Sequence, residues 1–241
     1  SFAGFVGSCQ DITERKGDEE ALRISYEELE RHHRESILLG EMNSCLQVCN
    51  SMKESYSVIG HFAKRLFIEN SGMIFLINES RSLIDLLVDW GGAARYSETV
   101  FTLQDCWSLR QGKPHCVTDI QNGLLCNHVK SEIADGYICA PMSAYGETMG
   151  VLHLQLAELE NWGGAKEAYL KSIKGLCMIF ADDVALALAN LKLREALQHQ
   201  SVRDPLTQLF NRRYLMESME QEIARARRNK TSIGIVMIDV D

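Results

Sequence analysis

The sequence predicts an α+β fold, with a central antiparallel sheet flanked by helices, long connector helices at both ends and the start of an α/β unit at the C-terminus. Three observations carry this. Helical periodicity fills the first quarter of the chain, short apolar runs bounded by turn residues dominate the middle, and a long helical pattern then leads away from them. Hydrophobic residues make up 46%, enough to pack a core.

The first segment, Phe5 to Lys16, reads as a strand running into Asp11, Thr13 and Glu14, which suit a helix start. A polar helix follows from about Asp18 to Glu35. Its stripe of Leu22, Tyr26 and Leu29 lies among Glu27, Glu28, Glu30, Arg31 and Arg34. Such a stripe suits either a connector paired with its own copy or a helix packed on its own domain. Residues Ile37 to Ile68 read as two amphipathic helices, one carrying Leu38, Leu39, Met42, Leu46 and Val48, the other Val58, Ile59, Phe62, Ala63, Leu66 and Phe67.

Then the period changes. Gly72–Ile77 and Ser82–Val88 flank Asn78-Glu79-Ser80-Arg81, a hairpin signature. After an irregular stretch from Gly91 to about Asp135, two further strands are expected at Tyr137–Ser143 and Thr148–Leu156. A long insert inside a compact domain builds a cavity or lid. A helix is expected from about Ala165 to Gln200, with Leu186, Leu193 and Leu197 at heptad-like separations that suit a parallel homodimer. The basic stretch Arg225, Arg227, Arg228 and Lys230 shares a helix with Glu220 and Glu222, and Ile233–Asp241 reads as a final strand.

Charge and composition exclude several classes. A net charge of −8 argues against a nucleic-acid partner, which calls for a basic surface. No apolar run reaches the ~20 residues of a membrane helix; the richest, Ile173–Leu193, is broken by Lys174, Asp182, Asp183 and Lys192. The opening residues are not a signal peptide, so the eight cysteines are expected as reduced thiols in the cytoplasm, with any membrane attachment lying upstream. The chain starts without Met and stops just after an apolar run, and both ends read as cuts through folded units.

Three stretches resemble known families. Gly4–Lys16, with Asp11-Ile12-Thr13-Glu14-Arg15, resembles the last strand of a PAS domain and its exit into a signalling helix. The pair Tyr137–Met142 and Gly146–Leu154, within that order of elements, is similar to the closing hairpin of GAF domains. Asp204-Pro205-Leu206-Thr207-Gln208-Leu209-Phe210-Asn211-Arg212-Arg213 resembles the opening motif of GGDEF domains, and Ile233–Asp241 follows at the family's interval. The implied organisation is the end of a PAS domain at 1–16, a signalling helix at 17–36, a GAF-type sensory domain at 37–190, a connector at 191–203 and the start of a GGDEF domain at 204–241.

That resemblance implies a bacterial diguanylate cyclase joining two GTP into cyclic di-GMP, with Asp239 helping to bind the Mg²⁺ ions on the GTP phosphates. A carboxylate at a strand end offers hard oxygen to such an ion. The family's Gly-Gly-(Asp/Glu)-Glu-Phe loop falls after residue 241, so these residues alone are expected to be inactive. The alternative is a ligand- or metal-binding relay module whose cyclase domain is degenerate. The signal sensed by the GAF domain stays open among small molecules, metal and redox state.

The insert carries its own candidate chemistry. Cys106, Cys116 and Cys126 lie with His115 and His128 within a short span, and Cys106, His115, Cys126 and His128 can form a tetrahedral set for Zn²⁺. Core packing of the cysteines with locally bonded histidines is the alternative, as are a redox thiol pair and a covalently held chromophore. Asn127, standing between Cys126 and His128, counts against a bilin. Trp90 and Trp107 are read as core aromatics, Tyr145-Gly146-Glu147 as a turn, and His153 as a histidine satisfied within the sheet.

Overall fold

A computed structural model describes residues 13–78, 80–130, 136–156, 166–202, 204, 207 and 209–238. Most of the expected PAS segment lies outside these residues. Helix α1 (Thr13–Val48) runs unbroken through the expected boundary at residue 36. No proline interrupts it, and the change from polar to apolar sequence alters burial rather than backbone. Leu22, Tyr26 and Leu29 stay exposed, whereas Leu39, Met42 and Leu46 are buried at helical spacing. Helix α2 (Met52–Leu66) starts where Ser51 Oγ accepts from the Glu54 amide at 3.3 Å and Glu54 accepts from the Asn50 amide at 2.8 Å. Its buried face is Ser55, Ile59, Phe62 and Ala63.

The sheet comprises β1 (Gly72–Ile77), β2 (Ile84–Trp90), β3 (Val100–Phe101), β4 (His115–Val117), β5 (Tyr137–Ala144) and β6 (Glu147–Gln155). Their order is β3-β2-β1-β6-β5-β4, and every neighbouring pair is antiparallel. The β5–β6 turn places Tyr145 at φ 52° and Gly146 at φ 78°, the paired left-handed residues that match the twist of a two-residue hairpin. Central pairing of β1 with β6 depends on Gly150, where a Cβ would sit 2.0 Å from the Phe75 carbonyl oxygen.

Because side chains alternate across a strand, the sheet has two faces with different coverings. Ile74, Trp90, Ile138, Ala140, Met142, Leu152 and Leu154 face α1, α2 and α4 (Lys166–Val202). Helix α4 buries Ile173, Cys177, Phe180, Val184 and Leu188 against them and leaves Ile179, Leu186, Leu193 and Leu197 exposed. Met73, Phe75, Cys139, Val151 and their neighbours face the other way, under the insert. The insert includes two short 3₁₀ turns, β3, helix α3 (Trp107–Gln111) and β4.

Beyond α4, Asn211 caps helix α5 (Arg212–Asn229) by accepting from the Tyr214 amide at 3.0 Å. The basic stretch lies on this helix, with Arg225 donating to Glu222 at 3.2 Å. The strand expected from Ile233 does not form over 231–238, and Ile235, Val236, Met237 and Ile238 are exposed. A strand exists only through its ladder partners, and among the described residues none lies alongside it.

Candidate functional site

The insert side of the sheet brings together polar sulfur and imidazole groups in an otherwise apolar layer. Cys106 precedes α3, Cys126 and His128 lie on the loop leading to β5, and Cys139 projects from β5 itself. One donor atom from each residue lies within 4.8 Å of all the others, and all four residues are buried. Phe75, Phe101, Val117, Tyr137 and Val151 belong to the same layer. The register that pairs Cys139 with His153 across β5 and β6 adds a second imidazole. His153 Nδ1 is 3.4 Å from Cys139 Sγ, and its Nε2 has no hydrogen-bond partner.

Local hydrogen bonds set the loop around these donors. The Cys126 amide donates to Tyr137 Oη at 2.7 Å and the Asn127 amide to the Asp105 carbonyl at 2.8 Å. The Trp107 amide lies 3.4 Å from Cys126 Sγ and points a donor at the sulfur. Ser97, itself buried, approaches both His128 Nδ1 and the His128 carbonyl oxygen at 3.0 Å. The Glu98 carbonyl oxygen also lies 3.2 Å from this hydroxyl. Carbonyls only accept, so the one hydroxyl proton goes to these oxygens and the Ser97 oxygen accepts from Nδ1–H. The proton on Nδ1 leaves the Nε2 lone pair facing Cys139 Sγ, 3.7 Å away. Phe101 stacks on the imidazole at 4.3 Å and 11°, which holds the ring plane.

The thiols are unequal. Hydrogen bonding with Cys126 pushes the Cys106 thiol up to about 12, and the same bond lowers Cys126. Burial raises Cys139 well above the ordinary thiol range. Burial also drops His153 to about 3, so it is neutral at physiological pH. The set therefore holds three unequal thiols and the imidazoles of His128 and His153, of which His153 is neutral, in an apolar wall. Chemically it offers soft ligands to a metal, or packed thiols shielded from solvent.

Of the residues singled out from sequence, Cys106, Cys126 and His128 come together. His115 does not join them: it starts β4, and its Nε2 lies 2.7 Å from the Leu124 carbonyl oxygen. Cys139 takes the fourth place, and the alternation of β5 puts it on the Tyr137 face, a signal available in the sequence but uninformative without the strand's position. His153 lies beside the group and is not the fully satisfied histidine expected from sequence, since its buried Nε2 has no hydrogen-bond partner. Trp90 is buried and donates to the Asn70 carbonyl at 3.0 Å, and Trp107 donates to the Leu125 carbonyl at 3.1 Å. Asp239 lies outside the described residues.

Comparison with known proteins bears on both parts of the chain. Residues 201–241 match the family model "Diguanylate cyclase, GGDEF domain". The fold is similar to residues 122 to 287 of a methyl-accepting chemotaxis protein, with TM-score 0.50 and 14% identity over 64% of this chain and 99% of that one. It is equally similar to the GAF domain of a phosphoenolpyruvate-protein phosphotransferase from Coxiella burnetii, with TM-score 0.50 and 13% identity over 67% and 96% of the two chains. A search of curated sequences finds no match. At these identities the structures share a fold: the sheet and its helices form a GAF-type domain, followed by a segment matching the GGDEF family model.

Proposed function

We propose that this chain is the sensory and regulatory region of a diguanylate cyclase, in which the GAF-type domain controls the pairing of GGDEF domains that join two GTP into cyclic di-GMP. The observation that carries the reading is the continuity of α4. It is buried against the sheet from Tyr169 to Leu191 and reaches Val202, inside the GGDEF match that starts at 201. A change in the sheet domain then has a direct path to the following domain, because a helix transmits rotation and translation along its axis.

In this reading residues 1–16 end a PAS domain, 17–36 form the signalling helix, 37–190 the GAF domain, 191–203 the connector and 204–241 the start of the cyclase domain. The protein works in the cytoplasm as a parallel homodimer. Leu186, Leu193 and Leu197, exposed at 45%, 55% and 56%, provide its seam on α4, and Leu22, Tyr26 and Leu29 continue it on α1. Asp239 would hold Mg²⁺ against the GTP phosphates, where the ion neutralises charge during phosphoryl transfer. Among the described residues no helix is long and apolar enough to cross a membrane.

Phase tests this coupling. Four alanines inserted after Leu197 of the full-length protein rotate the downstream domain by about 40° relative to whole turns and break a heptad seam, whereas seven residues restore it. The expected outcome is loss or misregulation of cyclic di-GMP synthesis with four and recovery with seven. Equal activity in both variants would refute control through α4. A full-length protein that turns over no GTP, yet binds a ligand through its sheet domain, would make the chain a relay module instead.

A further inference from the structure

We propose that Cys106, Cys126, Cys139 and His128 bind one thiophilic divalent cation of the zinc class, and that this ion clamps the insert onto β5. The proposal is independent of the cyclase reading and concerns the GAF-type domain alone.

Distance decides the number of ions. Donor atoms bound to one tetrahedral Zn²⁺ by bonds of about 2.0–2.3 Å stand roughly 3.3–3.8 Å apart. The four donors here all lie within 4.8 Å of one another, so shifts of a few tenths of an ångström to an ångström bring them onto one centre. A multinuclear cluster needs its cysteine sulfurs spread more widely. Donor chemistry decides the class. Three thiolates and an imidazole are soft to borderline ligands that favour Zn²⁺ over oxygen-seeking Mg²⁺ or Ca²⁺.

The surroundings are organised for binding before any ion arrives. Ser97 holds the proton of His128 on Nδ1 and leaves Nε2 free to coordinate, the outer hydrogen bond found behind metal-bound histidines. The Trp107 amide is aimed at Cys126 Sγ, where it stabilises a thiolate. His153 Nδ1, 3.4 Å from Cys139 Sγ, can donate to that sulfur once it is a thiolate. Each thiol that enters as S–H releases its proton on binding, and three thiolates with one divalent ion leave a single negative charge. Four protein ligands and full burial leave no open position, so the site is of the closed, structural type.

The connectivity says what the ion does. Cys106 anchors α3, Cys126 and His128 anchor the loop before β5, and Cys139 belongs to β5, which is paired on both sides by β6 and β4. Among the described residues of this layer, the loop from 118 to 130 has no strand of its own. Among these residues the loop pairs only by the isolated bridge of Val129 with Ser97, and the ion adds the coordinate bonds of Cys126 and His128 to it.

Elemental analysis of the purified protein and titration of chelator-stripped protein with Co²⁺ test this together. One equivalent of zinc per chain is expected, and one Co²⁺ should give the intense thiolate charge-transfer and d–d bands of a tetrahedral sulfur-rich site. His115→Ala should keep both signals, whereas Cys139→Ser should lower Co²⁺ affinity at least tenfold. Metal-free native protein that binds Co²⁺ without thiolate bands overturns the proposal, as does loss of binding in His115→Ala with retention in Cys139→Ser. If Cys139→Ser does not fold, the native Co²⁺ spectrum and the proton release on binding still decide it: bands of fewer than three thiolates would sink the assignment.

Discussion

Truncating Phe180 to alanine should unseat α4 from the sheet. Phe180 is fully buried, and its ring meets Phe67 edge-to-face at 5.4 Å and 84°, while Phe67 stacks in turn on Trp90 at 6.0 Å. Its α4 neighbours on the buried face, Cys177, Ala181 and Val184, are small and cannot swing into the vacated space. Loss of the ring and the cavity left behind together cost about 3–5 kcal/mol, of which about 0.5–1.5 kcal/mol belongs to the aromatic pair. Against a typical total of about 5–15 kcal/mol, that is a large fraction. The melting temperature should fall by about 6–20 °C, at about 2–4 °C per kcal/mol for a chain of this size. A urea titration should show the midpoint moving at constant slope. Ile179→Ala is the internal control, since Ile179 is 53% exposed on the opposite face and its truncation should cost no more than about 0.5–1 kcal/mol. A Phe180→Ala cost below about 1.5 kcal/mol, or equal to that of Ile179→Ala, would mean that α4 is not docked as described and cannot be a rigid arm.

Other outcomes rest on single contacts. Ser97→Ala removes the acceptor for His128 Nδ1–H and should destabilise the domain by about 1–3 kcal/mol, read by the same titration, because a buried donor is left unpaired. Gly150→Ala forces a Cβ to 2.0 Å from the Phe75 carbonyl and should abolish folding or cost several kcal/mol; a melting temperature within a few degrees of native would contradict the β1–β6 register. Leu186→Glu with Leu193→Glu should convert the proposed dimer to monomer in size-exclusion chromatography with light scattering while leaving the circular dichroism spectrum unchanged, since both side chains are exposed in the single chain. Cys45 is exposed, whereas burial raises the Cys177 thiol, so maleimide labelling followed by peptide mass spectrometry should modify Cys45 fully before Cys177 is detectable. Comparable rates would show that the helix-side core opens readily.

What the sequence determined by itself was local. Apolar spacing located β1, β5, β6 and α4 to within a few residues, because each buries one face and the period of that face is written in consecutive residues. The motif Asp204–Arg213 was sufficient to identify the segment that the GGDEF family model also matches. Three of the four clustered donors, Cys106, Cys126 and His128, stood close enough in sequence to be grouped by inspection. Only the tertiary structure supplied Cys139 and set His115 apart. The difference lies in register: which β5 residue faces Cys106, more than thirty positions away, depends on the pairing of β5 with β6 and on the insert folding over that face, and neither leaves a mark in local spacing. The same reason explains the ending of the chain. The apolar run from Ile233 has the composition of a strand, but composition cannot provide the neighbouring strand whose hydrogen bonds would make it one.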